Sequence, residues 1–392
     1  MIPEEEFCVL LCRSQPPPKI VSRISALLQG SLQWPRVLER ARTLEILPLV
    51  CASLRNLNFH GVPDSVRTEL LAIFRVNAMR NEFQGKELAR LLRLLTEAKI
   101  QVITLKGITQ ARLLYGDPAF RDCSDIDLLV PRGEVIRAFD LVVSGSYEPV
   151  FPHKGLLELL AKYGKDYEFT REDGINRYLL DLHCGLLWGG ALESPVLKEV
   201  WADSVPQNLY GIGVRGLSSD WQFLFASVHA YKHGRSSLKY LVDIDRFVSQ
   251  GLFSWNSVGE KTKRLGWEDA VRYCLQQCSQ LFETPEPAGY AMHSAVRTPR
   301  GIGESEVPAD FLALKLLKSP AQKLHYLAIR TFIPSPEICN EWPLPESLFF
   351  MYYLLQPIRM GCKSAGWLIL STWNSLRRKG SAGIPTVDAS AD

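Results

Sequence analysis

The chain has 392 residues, 46% of them hydrophobic and 22% charged, with a formal net charge of +3. A balance this close to neutral argues against a dedicated nucleic-acid binder built on a large phosphate-contacting surface and leaves room only for a local basic patch. No run approaches the roughly 20 apolar residues of a spanning helix. The acidic start, Met1-Ile2-Pro3-Glu4-Glu5-Glu6, lacks the basic stretch and apolar core of a secretory signal.

Nine cysteines in a chain of this length leave an odd thiol and do not describe a disulfide scaffold. Cys8/Cys12 and Cys274/Cys278 lie one helical turn apart in apolar patterns with no second ligand pair nearby, so they read as buried structural thiols. A reducing cytoplasm is the compartment this usage fits.

Taken in chain order, the first hundred residues read as helices. Trp34 to Leu57 has apolar residues at helical spacing, and Pro63-Asp64-Ser65 starts a long helix towards Ala98 with Leu88, Leu91, Leu92 and Leu95 as its stripe. Gln101 to Leu105 then reads as a short buried strand, Gly107 opens a short helix to about Tyr115, and Gly116-Asp117-Pro118 is a turn. An acidic strand follows from Ser124 to Val130, with Pro131 as the first residue of a helix towards Val143. Tyr167–Arg171 and Arg177–His183 read as a hairpin through Glu172-Asp173-Gly174.

Beyond Leu217 the pattern returns to helices, with Ser218 or Ser219 and Ser236 or Ser237 as caps, and Trp267 to Phe282 as a further helix. Pro285 to Pro308 reads as a connection and the chain beyond Lys379 as a frayed tail. Leu348–Leu355 and Trp367–Trp373, followed by Arg377-Arg378-Lys379, suit a buried helix pair better than a membrane-surface segment. The expected class is α+β: a small mixed sheet flanked by helical regions, divided as residues 1–98, 99–216 and 217–392.

The chemistry concentrates in Ser124-Asp125-Ile126-Asp127-Leu128-Leu129-Val130. Alternate side chains of a strand share a face, so Asp125 and Asp127 point the same way. Like charges that close repel unless a cation lies between them, and a hard divalent metal with oxygen ligands is the usual answer. Asp181 places a third acid in an otherwise apolar strand, where it needs a partner. By alternation His183 shares its face.

Lys106-Gly107 precedes a helix whose N-terminal N–H groups suit phosphate, Arg121 suits a phosphate or pairs with Asp117 or Asp122, and Ser124 suits a phosphate or caps the turn. His229 and His233 lie one helical turn apart. With Asp243 they make an alternative metal site of two histidines and an acid, as in a metallohydrolase. Packing against the sheet, in touch with a nucleotide, is the other reading.

Leu105-Lys106-Gly107, Arg121, Asp125 to Val130 and Asp181-Leu182-His183 together resemble the nucleotidyltransferase superfamily with the DNA polymerase beta-like catalytic fold. The closer resemblance is to the uncharacterised nucleotidyltransferase family of bacterial biosynthetic gene clusters. Trp34 to Leu49, His229 to Asp243, Pro334 to Pro345 and Leu354 to Arg359 are similar to its other signatures.

The resemblance implies transfer of a nucleoside monophosphate from a nucleoside triphosphate, ATP first among them, to a hydroxyl acceptor. Asp125, Asp127 and Asp181 would be the catalytic acids holding magnesium, or manganese in its place. Lys106, Gly107, Arg121, Ser124, His183, His229 and His233 would contact the nucleotide. The implied acceptor is a small molecule, glycan or peptide. Gly107-Ile108 departs from the superfamily's Gly-Ser turn, which keeps open a catalytically inactive, nucleotide-binding or partner-binding protein of the same fold.

Overall fold

Helices lead into and out of the sheet segment in the computed structural model, which describes residues 2–13, 16–151, 153–164, 166–186, 193–233, 237–285 and 309–363. α1 (Pro3–Leu11), α2 (Pro18–Gln29), α3 (Trp34–Thr43) and α4 (Leu47–Asn56) each carry proline in the first turn, where its missing N–H would have no partner anyway. α5 (Asp64–Glu97) follows as a 34-residue helix. Its expected leucine stripe, Leu88, Leu91, Leu92 and Leu95, is buried.

The sheet segment runs β1 (Ile103–Thr104), α6 (Ile108–Tyr115), β2 (Ile126–Leu129), α7 (Val135–Ser144), β3 (Glu148–Pro149), α8 (Lys154–Tyr163), β4 (Asp166–Asp173), β5 (Asn176–His183), α9 (Glu193–Ala202), β6 (Val205–Leu209) and β7 (Ile212–Gly216). Helices then return as α10 (Ser219–His233), α11 (Leu238–Ser249), α12 (Trp255–Leu265), α13 (Glu268–Phe282), α14 (Ala309–Leu316), α15 (Pro320–Phe332) and α16 (Pro336–Glu341). Among the described residues the strands form one seven-stranded sheet in the order β3-β4-β5-β2-β1-β7-β6. It is mixed: β1/β7 and β2/β5 are parallel, and the remaining pairs are antiparallel.

Hydrophobic alternation fixes the register. Ile126, Leu128, Leu180, Leu182, Tyr167 and Phe169 pack with the α5 stripe and with Val135, Ala138 and Val142 of α7. Each such side chain contributes about 1.5–3 kcal/mol on burial, and a slip of one residue would turn all of one strand's to the wrong side. The same phase sends Asp127, Asp181, His183, Asp166 and Glu168 to the opposite face, beneath α10 and α11.

Several expectations need adjusting. The acidic strand is shorter than expected, Ile126–Leu129, with Ser124 and Asp125 as its lead-in. Pro131 precedes a 3₁₀ turn, Arg132–Glu134, before α7. Ser219 lies inside α10, and Ser237 precedes α11 without a side-chain capping bond. β6 and β7 extend the sheet through a stretch where no strand was expected. The connection from Pro285 to Pro308, apart from Pro285 itself, and the segments at Trp367–Trp373 and beyond Lys379 lie outside the described residues. All nine cysteines are free, and Cys8, Cys12, Cys274 and Cys278 are buried. Among the described residues no helix is long and apolar enough to cross a membrane.

Candidate active site

The parallel pairing of β2 with β5 sets Asp127 opposite Asp181, and the antiparallel pairing of β5 with β4 sets Asp181 opposite Glu168. One step along, Leu129, His183 and Asp166 form the next row. Cross-strand neighbours on one face stand about 4.5–5.5 Å apart at Cβ, so three strands present a compact acidic surface. It floors a cavity of about 280 Å³ walled by α10 and α11 through Phe225, Val228, His229 and Tyr240.

Asp127 is 2% exposed, and its environment is divided. Oδ1 meets the Lys106 ammonium at 3.2 Å and His183 Nε2 at 3.0 Å, whereas Oδ2 is buried with no hydrogen-bond partner. Burial pushes this carboxyl up, but Lys106 and His183 outweigh it and the net direction is down. Lys106 also reaches Asp125 Oδ2 at 3.2 Å. Burial alone would push its ammonium down, yet Asp127 and Asp125 carry it well up. The cation expected between the two acids is therefore supplied by the chain itself.

The sequence grouped Asp125, Asp127 and Asp181 as metal ligands. The ligand atoms that converge to within 4.8 Å are those of Asp127, Asp181 and His183. Asp125 lies to one side, with Ser124 Oγ donating to its Oδ1 at 3.0 Å. Two carboxylates, an imidazole and an orphaned buried carboxylate oxygen fit a divalent cation with mostly oxygen ligation. Gly107 caps α6 in a left-handed conformation with φ 70°, and a Cβ there would stand 3.2 Å from the Asp125 carbonyl oxygen. Only glycine lets the two loops approach that closely.

Arg121 lies elsewhere than expected. It is 4% exposed and donates from Nε and Nη2 to both oxygens of Asp243, at 2.9–3.2 Å. Asp243 also accepts from Tyr115 Oη at 2.7 Å and Gln110 Nε2 at 3.1 Å. Asp122 is paired with Arg80, and Asp117 caps Ala119 N. With its oxygens committed, Asp243 does not join a two-histidine metal site. Among the described residues the sole cluster of three potential ligands is the Asp127 group.

His229 and His233 do face the cavity, with ring centroids 4.7 Å apart, and both pack on Tyr240 at 4.5 and 4.7 Å. Burial, then Lys106 and His233, hold the His229 imidazole well below its ordinary pKa. Its buried Nε2 has no partner. Asp166, Glu168 and Tyr240 were missed. The signal for the two acids was their alternation with Tyr167 and Phe169, in phase with Asp181 and His183.

A face of acids beside a glycine turn, on a mixed sheet between helical flanks, is the architecture of a nucleotidyltransferase-like protein. The chain belongs to the family described as uncharacterised nucleotidyltransferase, whose model matches residues 30–283. The stretches at Pro334–Pro345 and Leu354–Arg359 lie beyond that match. No curated protein matches the chain. Among solved structures it is similar to an antigenic nucleotidyltransferase-like protein from Paracoccidioides brasiliensis. Identity is 14%, coverage is 54% of this chain and 96% of that one, and the TM-score is 0.33.

Proposed function

We propose that the protein transfers a nucleoside monophosphate from a nucleoside triphosphate, ATP in the first instance, to a hydroxyl acceptor. The observation that carries this reading is the register of Asp127 with Asp181, next to His183 and Lys106 and across from the Gly107 turn. Asp127, Asp181 and His183 would hold a divalent cation, magnesium or manganese, which when bound supplies positive charge against the phosphates and acidifies a hydroxyl.

The chain's own groups do the rest. The N–H groups opening α6 face phosphate oxygens, and the Lys106 ammonium moves from the acids to the triphosphate as a point charge. His229, held neutral, with His233 and Tyr240, walls the nucleotide. The acceptor oxygen bonds to the α-phosphorus as its bond to the bridging oxygen breaks. Pyrophosphate leaves with that electron pair, and the hydroxyl proton passes to the Asp181 carboxylate. Arg121, buried on Asp243, supports α6 and α11 and takes no part at the phosphates. Ser124 orients Asp125, which holds Lys106.

The test is incubation with α-labelled triphosphates, magnesium and host extract as the acceptor source. Asp127→Asn and Asp125→Asn are each expected to lower label transfer by about 10²–10³-fold. Nucleotide binding by the wild-type protein with no transfer to any acceptor would favour the second reading, an inactive nucleotide-binding fold, to which Gly107-Ile108 lends support.

A further inference from the structure

A second cavity opens off the first. It measures about 290 Å³ and shares Asp166, Glu168 and Lys232 with the acidic cavity. Its apolar walls are Phe151, Leu160 and Tyr163 on one side and Ile329 and Ile333 on the other, with Arg330 and Glu337 beside them. Ile329 and Ile333 come from the end of α15, outside the residues 30–283 that match the family. At the far end, burial pushes the Glu337 carboxyl up, but Ser335 and Arg330 outweigh it and hold it below the usual range. That carboxylate is therefore compensated by its own neighbours.

The residues common to both cavities are different. Asp166 stands 3.9 Å from His183 Nδ1. Glu168 is exposed, lies directly across from Asp181, and among the described residues no hydrogen bond or ion pair holds its carboxylate. Glu168 lines both cavities. Two carboxylates and one ammonium, Asp166, Glu168 and Lys232, line both cavities, and the net negative charge there favours cations and disfavours anions.

We propose that the second cavity is the acceptor subsite and that it takes an apolar-substituted amino alcohol. The hydroxyl enters the acidic cavity, the ammonium rests on Glu168, and the apolar group lies between α8 and α15. The assignment rests on the transferase reading for its direction, since the hydroxyl is the attacking group of the step above. Its volume, at the small end of ligand pockets, suits a compound of about a dozen heavy atoms.

The experiment uses three probes of one shape and different charge, each titrated calorimetrically into the full chain: phenylalaninol, 3-phenylpropan-1-ol and 2-benzyl-3-hydroxypropanoate. Phenylalaninol is expected to bind at least about tenfold tighter than the neutral probe, with the anion weakest. Glu168→Lys, at an exposed position, is expected to invert that order, a result that an unfolded variant cannot give. Leu160→Trp, which fills the cavity, is expected to weaken all three.

Equal affinities in the wild-type protein, an unchanged order in Glu168→Lys, or unchanged phenylalaninol binding in Leu160→Trp would each overturn the proposal. Binding is read without turnover, so the two readings separate. The expected charge order without label transfer to phenylalaninol would count against the transferase reading and leave the subsite standing.

Discussion

Asp243 illustrates how much a single side chain holds here. It is 1% exposed and receives the guanidinium of Arg121, the hydroxyl of Tyr115 and the amide of Gln110. Removing one partner of a buried pair strands the other charge at a cost of about 3–5 kcal/mol. Asp243→Asn is therefore expected to lower the urea midpoint by that equivalent, with the unfolding slope unchanged. His229 makes a prediction of its own. Its folded pKa lies well below the ordinary 6.5 because burial, Lys106 and His233 disfavour the charged ring, so below about pH 6.5 the unfolded chain binds the extra proton. Stability contributed by the neutral ring is complete above that pH. As pH falls, it is lost at up to about 1.4 kcal/mol per unit until the depressed folded pKa is reached. Denaturation curves of His229→Gln should lack that slope. The acids and Lys106 could be read from the sequence because alternation puts them on one strand face or next to a glycine turn. Arg121 could not, since its partner lies 122 positions away.

Among the elements, the turn into α6 is the most constrained. Gly107 combines φ 70° with ψ −132°, a region that residues with a Cβ avoid at a cost of about 1–3 kcal/mol. Gly107→Ala should destabilise the protein by about that amount in chemical denaturation and weaken nucleotide binding measured in the same variant, because the turn would draw away from Asp125. The helices around it, the long α5 and the β4/β5 hairpin were legible, since each has a strong period and a capping or turn residue. β6 and β7 were not. Val205-Pro206-Gln207-Asn208-Leu209 has little alternation, and Tyr210-Gly211 replaces the common Asn-Gly. The structure nonetheless gives both turn residues positive φ, 55° and 80°, the geometry that closes a two-residue hairpin.

At the scale of the whole molecule, the sheet face explains why sequence and structure agree on the acids but differ on their grouping. Strand alternation says which side a residue takes. Only pairing between strands says which neighbour it meets, and that pairing brings Asp127 and Glu168 to Asp181 while leaving Asp125 outside the paired rows. The Lys106 ammonium held between Asp125 and Asp127 then has a thermodynamic consequence. It is an internal counterion, so the chain can fold before any external cation arrives, and a divalent ion drawn to Asp127 must share that carboxylate with it. Folding is thereby only weakly coupled to metal uptake in the native protein, and the coupling should strengthen once the ammonium is removed. Lys106→Met is expected to lose about 3 kcal/mol in chelator and to regain melting temperature as manganese is added. The native protein, already folded in chelator, should gain less on adding the ion than the variant does, because the ion works against the ammonium. The lysine lets the fold form without the metal.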